Sequence, residues 1–221
     1  MVTYDEIAKM IDHSLLRPEL TDNDIEEGCR LADEYGVAAV SVRPSDVSLA
    51  KKTLKNSRVL IDAVIGFPHG TTTTLTKVTE AREAIKNGAS ELDMVLNIGK
   101  LRSGDHEYVK ADIQAVKDVA AAEKVVLKVI FENCYLSEEQ IIAACRICNE
   151  VGVDFIKTST GFGSGGAVDR DLKIMGQHAK PGIQLKAAGG VRTLERAIEI
   201  KNLGCTRFGC TVTAGILERL K

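Results

Sequence analysis

Short β-rich runs alternate with longer amphipathic segments along almost the whole chain, and few architectures accommodate that rhythm. The strand-like runs are 11–15, 38–42, 59–66, 91–97, 125–131, 153–158, 183–187 and 206–210. Most are short and rich in Val, Ile, Leu or Phe, as strands buried on both faces must be. The intervening segments carry helix signals. Thr21 precedes an acidic first turn and a run ending at Gly36, Pro44 opens a second run, and 75–87 ends in Lys-Asn-Gly. Segment 105–122 has apolar residues at helical spacing. Ser137 and Thr193 start runs that close at Gly152 and Gly204, Asp169-Arg-Asp171 reads as a solvated helix start, and a last helix begins near Thr213. Repeated βα units imply a parallel sheet, because every parallel crossover needs a connecting helix. Eight strands fit a closed (β/α)₈ TIM barrel better than an open doubly wound sheet. The first strand rests only on its position and on the count of eight. The 221 residues suit one such domain, 1–221, with no linker or low-complexity tract to divide it.

Charge narrows the partners. Lys and Arg number 29 against 31 Asp and Glu, a net charge of −2. That balance gives no electrostatic ground for nucleic acid or an anionic membrane as partner. Charges interrupt every apolar run before the ~18 residues of a membrane helix. Asp5 and Glu6 lie where a signal peptide is basic and then apolar. The six cysteines lack secreted-scaffold spacing and read as reduced thiols, so a cytoplasmic location is expected. Cys145-x-x-Cys148 has no further ligands at zinc spacing, and His13, His69, His106 and His178 form no chelating pair, so no metal is expected.

The chemistry is written in polar residues inside the apolar strands. Lys128, Lys157 and Lys186 lie on three successive strands, 29 residues apart each time. That equal spacing reads as one lysine at a matching place on each strand. Side chains alternate along a strand, so Lys128 shares a face with Val126 and Ile130, Lys157 with Phe155 and Ser159, and Lys186 with Gln184 and Ala188. The helix-facing side of a barrel is dry, so the lysines are expected to point inward. Asp93 offers an inward carboxylate, with Asp12, Asp62 and Glu132 as further candidates. Such a set is open to two readings. It can be an inert ion-pair network, or it can hold a lysine whose pKa is lowered by desolvation and a neighbouring cation until the neutral amine attacks a carbonyl.

Glycines crowd the loops after the last three strands: Gly161-Phe-Gly163-Ser-Gly-Gly166, Gly189-Gly190 and Gly209. Glycines let backbone N–H groups approach a ligand, and the loops after strands seven and eight are the usual phosphate site of this barrel. Gly161, Gly163 and Gly166 also match a dinucleotide fingerprint, but the next strand carries Lys186 where that fold needs an acidic residue. Gly66-Phe-Pro-His-Gly70 closes the third strand and reads either as a substrate mouth or as a turn.

Phe155-Ile-Lys-Thr-Ser-Thr-Gly161 resembles the Schiff-base signature of deoxyribose-phosphate aldolases. Gly66-Phe-Pro-His-Gly70, Glu91-Leu-Asp-Met-Val95, Leu127-Lys-Val-Ile130 and Lys186-Ala-Ala-Gly-Gly-Val-Arg-Thr193 follow the same family's order, so the resemblance runs from Ile11 to Gly209. It implies a cytoplasmic TIM-barrel lyase that cleaves 2-deoxy-D-ribose 5-phosphate reversibly, without metal or cofactor, as a homo-oligomer (dimer or tetramer). Carried over, Lys157 is the Schiff-base lysine, Lys186 the cation that lowers its pKa, and Asp93 a proton relay. Lys128 lies near the site on the substrate side, and Gly161, Gly189, Gly190, Gly209 and Thr211 hold the phosphate. Ser41 stands where many relatives have cysteine, and Cys210-Thr211-Val212 replaces a small serine-rich run. Two other functions fit the same residues: a different lysine aldolase or isomerase acting on another sugar phosphate, and a phosphate-binding barrel without turnover.

Overall fold

The computed structural model describes residues 2–221. Eight strands, β1 (Ile11–Leu15), β2 (Ala39–Val42), β3 (Leu60–Ile65), β4 (Glu91–Val95), β5 (Val126–Ile130), β6 (Phe155–Lys157), β7 (Gln184–Ala188) and β8 (Cys205–Cys210), pair in parallel and in chain order. β8 closes on β1, with Asp12 opposite Gly209. The architecture is the (β/α)₈ barrel that the alternation implies.

The surrounding helices are α1 (Tyr4–Ala8), α2 (Asp22–Glu34), α3 (Val47–Thr53), α4 (Thr74–Asn87), α5 (Ile98–Arg102), α6 (His106–Ala122), α7 (Glu138–Val151), α8 (Asp169–His178), α9 (Leu194–Asn202) and α10 (Thr213–Leu217). Their ends follow local chemistry. Thr21 with Asp24 and Ser137 with Gln140 form capping boxes that satisfy backbone donors at the starts of α2 and α7. Gly88 and Gly152 end α4 and α7 in the left-handed conformation. The short helices α1 and α5 have no counterpart among the sequence expectations, since five residues carry no periodic pattern.

The core is distributed unusually. The outward strand face is a continuous apolar shell under the helices, including Val40, Ile61, Leu92, Met94, Leu127, Val129, Ile156, Leu185 and Phe208. The lumen, filled in most such barrels by branched apolar side chains, instead buries Asp12, Asp62, Glu91, Asp93, Lys128, Lys157, Lys186 and Arg207. Folding is driven from the outer shell, and the lumen is left to hold charge. Among the described residues no helix is long and apolar enough to cross a membrane.

Candidate active site

Asp93 organises the lumen. Its Oδ2 accepts from Lys157 Nζ at 2.5 Å and from Lys186 Nζ at 2.6 Å, and its Oδ1 lies 3.0 Å from Lys128 Nζ. Lys186 also meets Asp12, and meets Asp62 Oδ2 at 3.0 Å. Arg207 donates through Nε to Asp12 Oδ1 at 2.7 Å and through Nη2 to Glu91 Oε2 at 2.8 Å. The three lysines thus point inward, as the strand alternation requires.

They do not share a level. Lys157 and Lys186 are Cα partners across β6 and β7, but Lys128 pairs with Phe155 across β5 and β6. Equal chain spacing therefore misleads for Lys128. The stagger between β5 and β6 is two residues less than that between β6 and β7, so Lys128 sits one inward position deeper. There it lies 2.7 Å from Glu91 Oε2, 3.0 Å from Asp62 Oδ1 and 3.9 Å from Asp12 Oδ2. Carboxylate oxygens of Asp12, Asp62 and Glu91 come within 4.8 Å of one another, as metal ligands would, but the Lys128 ammonium stands among them as their cation. The expected substrate-side position of Lys128 is corrected accordingly: it is wholly buried below the cavity and supports the carboxylates.

Above this network a cavity of about 210 Å³ opens at the strand C-termini. Lys157 is the one lumen lysine that lines it, 3% exposed where Lys128 and Lys186 are 0%. Gly161, Gly189, Gly190, Gly209 and Thr211 line the same cavity, so the loops after β6, β7 and β8 converge there. Their approach depends on glycine. A Cβ on Gly166 would lie 2.4 Å from the Gly189 carbonyl oxygen, and Gly189 itself has φ +80°. Ala167 N–H then bonds to that carbonyl at 3.0 Å, locking the two loops together. Arg17, Arg192 and Phe162 complete the rim, with the Arg17 guanidinium 5.9 Å from the Phe162 ring centre. Glu132, a candidate inward carboxylate, lies two residues past β5 and accepts from the Thr160 N–H at 3.2 Å as well as from the Thr160 hydroxyl. It fixes the loop after β6 and takes no part in the lysine network.

The electrostatics separate the lysines. Burial pushes the Lys157 ammonium below the ordinary lysine value, Lys186 adds to the shift, and Asp93 opposes it. Despite its burial, Lys186 is raised, because Asp12, Asp62 and Asp93 surround it. Burial works against the Asp93 carboxylate, yet the neighbouring ammonium groups hold it well below the usual range. The arrangement therefore sets a buried amine whose pKa is lowered beside a second amine whose pKa is raised, both on a carboxylate whose pKa is depressed.

Two lumen members escaped the sequence reading. Glu91 stood only as the first residue of the Glu91–Val95 motif, and Arg207 only as the residue two before Gly209. Their period-2 relation to Asp93 and Gly209 marks both as inward and could have revealed them.

The sequence model of the DeoC/LacD family aldolases matches residues 6–211. A deoxyribose-phosphate aldolase of Thermoanaerobacter sp. (strain X514) is 49% identical over 213 residues, 96% of either chain. Among solved structures, QR15, an aldolase, superposes with a TM-score of 0.92 at 39% identity, covering 97% of this chain and 95% of its own. The deoxyribose phosphate aldolase of Aeropyrum pernix, which is tetrameric, superposes at 0.91 with 28% identity, covering 98% and 91%.

Proposed function

The chain belongs to the DeoC/LacD family of aldolases, which are carbon–carbon lyases, and on that premise we propose that it cleaves 2-deoxy-D-ribose 5-phosphate reversibly into D-glyceraldehyde 3-phosphate and acetaldehyde through a Schiff base on Lys157. One observation carries the reading. Of the three lumen lysines, only Lys157 reaches the cavity, and its nitrogen shares Asp93 Oδ2 with a second lysine.

Neutral Lys157 adds to the C1 aldehyde of the open sugar, and loss of water leaves a cationic iminium. This iminium is the electron sink for the bond to be broken, so the proposed course calls on no metal or cofactor. Asp93, acting through a water, takes the proton of the C3 hydroxyl as the C2–C3 bond breaks. Glyceraldehyde 3-phosphate departs, the enamine is reprotonated at carbon, and hydrolysis frees acetaldehyde and Lys157. Lys186 keeps the resting amine uncharged. The phosphate rests on backbone N–H groups at Gly161, Gly189, Gly190 and Gly209 and on the Thr211 hydroxyl, with Arg17 and Arg192 supplying charge at the rim. Holding that remote group lets binding energy orient the reacting carbons. The free cysteines fit a reducing, cytoplasmic compartment, and the tetrameric relative supports a homo-oligomer.

Borohydride reduction in the presence of 2-deoxyribose 5-phosphate, followed by intact mass and peptide mapping, tests the assignment. A reduced adduct on Lys157, absent from Lys157→Leu, is expected, and the same variant should lose turnover by about 10⁴-fold or more. An adduct on another lysine, or none, overturns it.

A further inference from the structure

We propose that Asp62 carries a proton while Lys157 is a free amine and releases it when Lys157 becomes an iminium, so that the buried charge network stays electrically neutral through the reaction. This rests on Lys157 being the Schiff-base residue.

The charge count sets the problem. Among the described residues the lumen network joins four cationic side chains, Lys128, Lys157, Lys186 and Arg207, to four acids, Asp12, Asp62, Glu91 and Asp93. With Lys157 neutral, four carboxylates would face three cations at sites with no solvent exposure to Asp12, Asp62 or Asp93. An uncompensated buried charge is very costly, and the group neutralises instead. One acid must therefore hold a proton.

Contacts identify which. Asp12 is gripped by Arg207 through two nitrogens and by Lys186. Glu91 has Arg207 through Nη1 at 3.1 Å and Nη2 at 2.8 Å, and Lys128 at 2.7 Å. Asp93 has all three lysines. Asp62, on β3, has no guanidinium. Its two lysine contacts, Lys128 and Lys186, are both 3.0 Å, and its third partner is the neutral Ser41 hydroxyl on β2 at 2.7 Å. Its neighbours on β4 are the acids Glu91, its Cα partner, and Asp93, while Asp12 on β1 shares Lys186 with it. Burial and Asp93 accordingly push Asp62 upward, whereas Asp12, also buried, is held down to about 2 by Lys186, Arg207 and Lys128.

The chemistry balances. Amine, aldehyde and one proton give iminium and water. The new C=N bond replaces the carbonyl C–O bond, the oxygen leaves as water, and nothing is oxidised or reduced. The proton comes from Asp62 along a continuous line, Asp62 Oδ2 to Lys186 Nζ at 3.0 Å and Lys186 Nζ to Asp93 Oδ2 at 2.6 Å, and Asp93, whose Oδ2 lies 2.5 Å from Lys157 Nζ, passes it to the hydroxyl of the carbinolamine formed on Lys157, which leaves as water. The shift is concerted: as Asp93 passes its proton on it takes one from Lys186, which takes one from Asp62, so Lys186 and Asp93 end with the charges they began with. Asp62 touches neither the cavity nor substrate and acts through Lys186 as a positioning residue.

Infrared difference spectroscopy decides the question, with isotopically labelled acetaldehyde to move its own carbonyl out of range. The resting enzyme at neutral pH should show a carboxylic acid C=O band that acetaldehyde abolishes and that Asp62→Asn lacks. The apparent acetaldehyde–iminium dissociation constant should be flat between about pH 6.5 and about pH 8.5 in the native enzyme. In Asp62→Asn it should weaken roughly tenfold per pH unit, because the proton then comes from solvent, and Asp62→Glu should restore the flat profile. A resting enzyme without the band, a band that persists with acetaldehyde or in Asp62→Asn, or a sloping native profile overturns the proposal. If Asp62→Asn does not fold, the native spectra and profile still decide. An absence of any trapped iminium counts against Lys157 instead, and the resting band continues to test Asp62.

Discussion

Lys157 and Lys186 face each other as Cα partners across β6 and β7, and both ammonium nitrogens rest on one oxygen of Asp93, at 2.5 and 2.6 Å. Two cations on one carboxylate oxygen repel, and the cheapest relief is the loss of one proton. Lys186 keeps its own because Asp12 and Asp62 also hold it. Among the described residues Lys157 has only Asp93 as an ion-pair partner, and it borders the cavity, so in the proposed mechanism it is the one that yields.

Replacing Lys186 with Leu removes the neighbouring cation. Lys157 then binds its proton more tightly and needs a higher pH to become nucleophilic. The acid limb of the pH–rate profile should move upward by about one unit, and activity at neutral pH should fall by about 10²–10⁴-fold. A limb that stays in place would show that Lys186 has no part in tuning the amine.

Stability should rank the lysines in the opposite order to catalysis. Lys128→Met leaves Glu91, Asp62 and Asp93 facing an apolar side chain in a closed lumen, a loss of about 3–5 kcal/mol. Lys157→Leu removes a group that the proposed mechanism keeps uncharged, and Asp93 keeps Lys128 and Lys186. Urea unfolding of the two variants should separate them, and equal losses would contradict this division of labour.

The loop-to-loop contact makes a substrate-specific prediction. Gly189→Ala places a Cβ 2.8 Å from Gly166 Cα at a residue whose φ is +80°, so the β6 and β7 loops must part. Phosphate anchoring should suffer while the lysine cluster below is untouched. KM for 2-deoxyribose 5-phosphate should rise about 10-fold or more, the cost of one charge-assisted hydrogen bond, while kcat/KM for unphosphorylated 2-deoxyribose changes little. Equal effects on both sugars would argue against a phosphate site there.

Acid should weaken the fold before it touches the carboxylates. His13 is buried on the outer face of β1, with Nδ1 2.9 Å from Thr213 Oγ1, and burial lowers its pKa from 6.5 to about 4. Its neutral form is favoured in the folded state. The contribution is therefore complete above about pH 6.5 and is lost as the pH falls toward 4 and the unfolded chain takes up the proton first. Urea stability should drop by about 2 kcal/mol from about pH 7.5 to about pH 5, and His13→Gln should flatten that slope. An unchanged slope in the variant would assign the effect to other groups.

Much of this could be read along the chain. The βα rhythm, the helix caps at Thr21 and Ser137, and the inward face of each lysine are local: they depend on residues within a turn or a strand of one another, and backbone geometry enforces them. Lys157 and Asp93 stood out because a charge in an apolar strand is expensive anywhere. What could not be read is how far each strand slides past the next. Closure of the barrel sets that stagger. It puts Lys128 opposite Phe155 while Lys157 meets Lys186, and it brings Arg207, near the end of the chain, between Asp12, near its start, and Glu91. Which amine is pushed toward its neutral form follows from those through-space distances, because Coulomb energy depends on separation across the lumen and takes no account of separation in sequence.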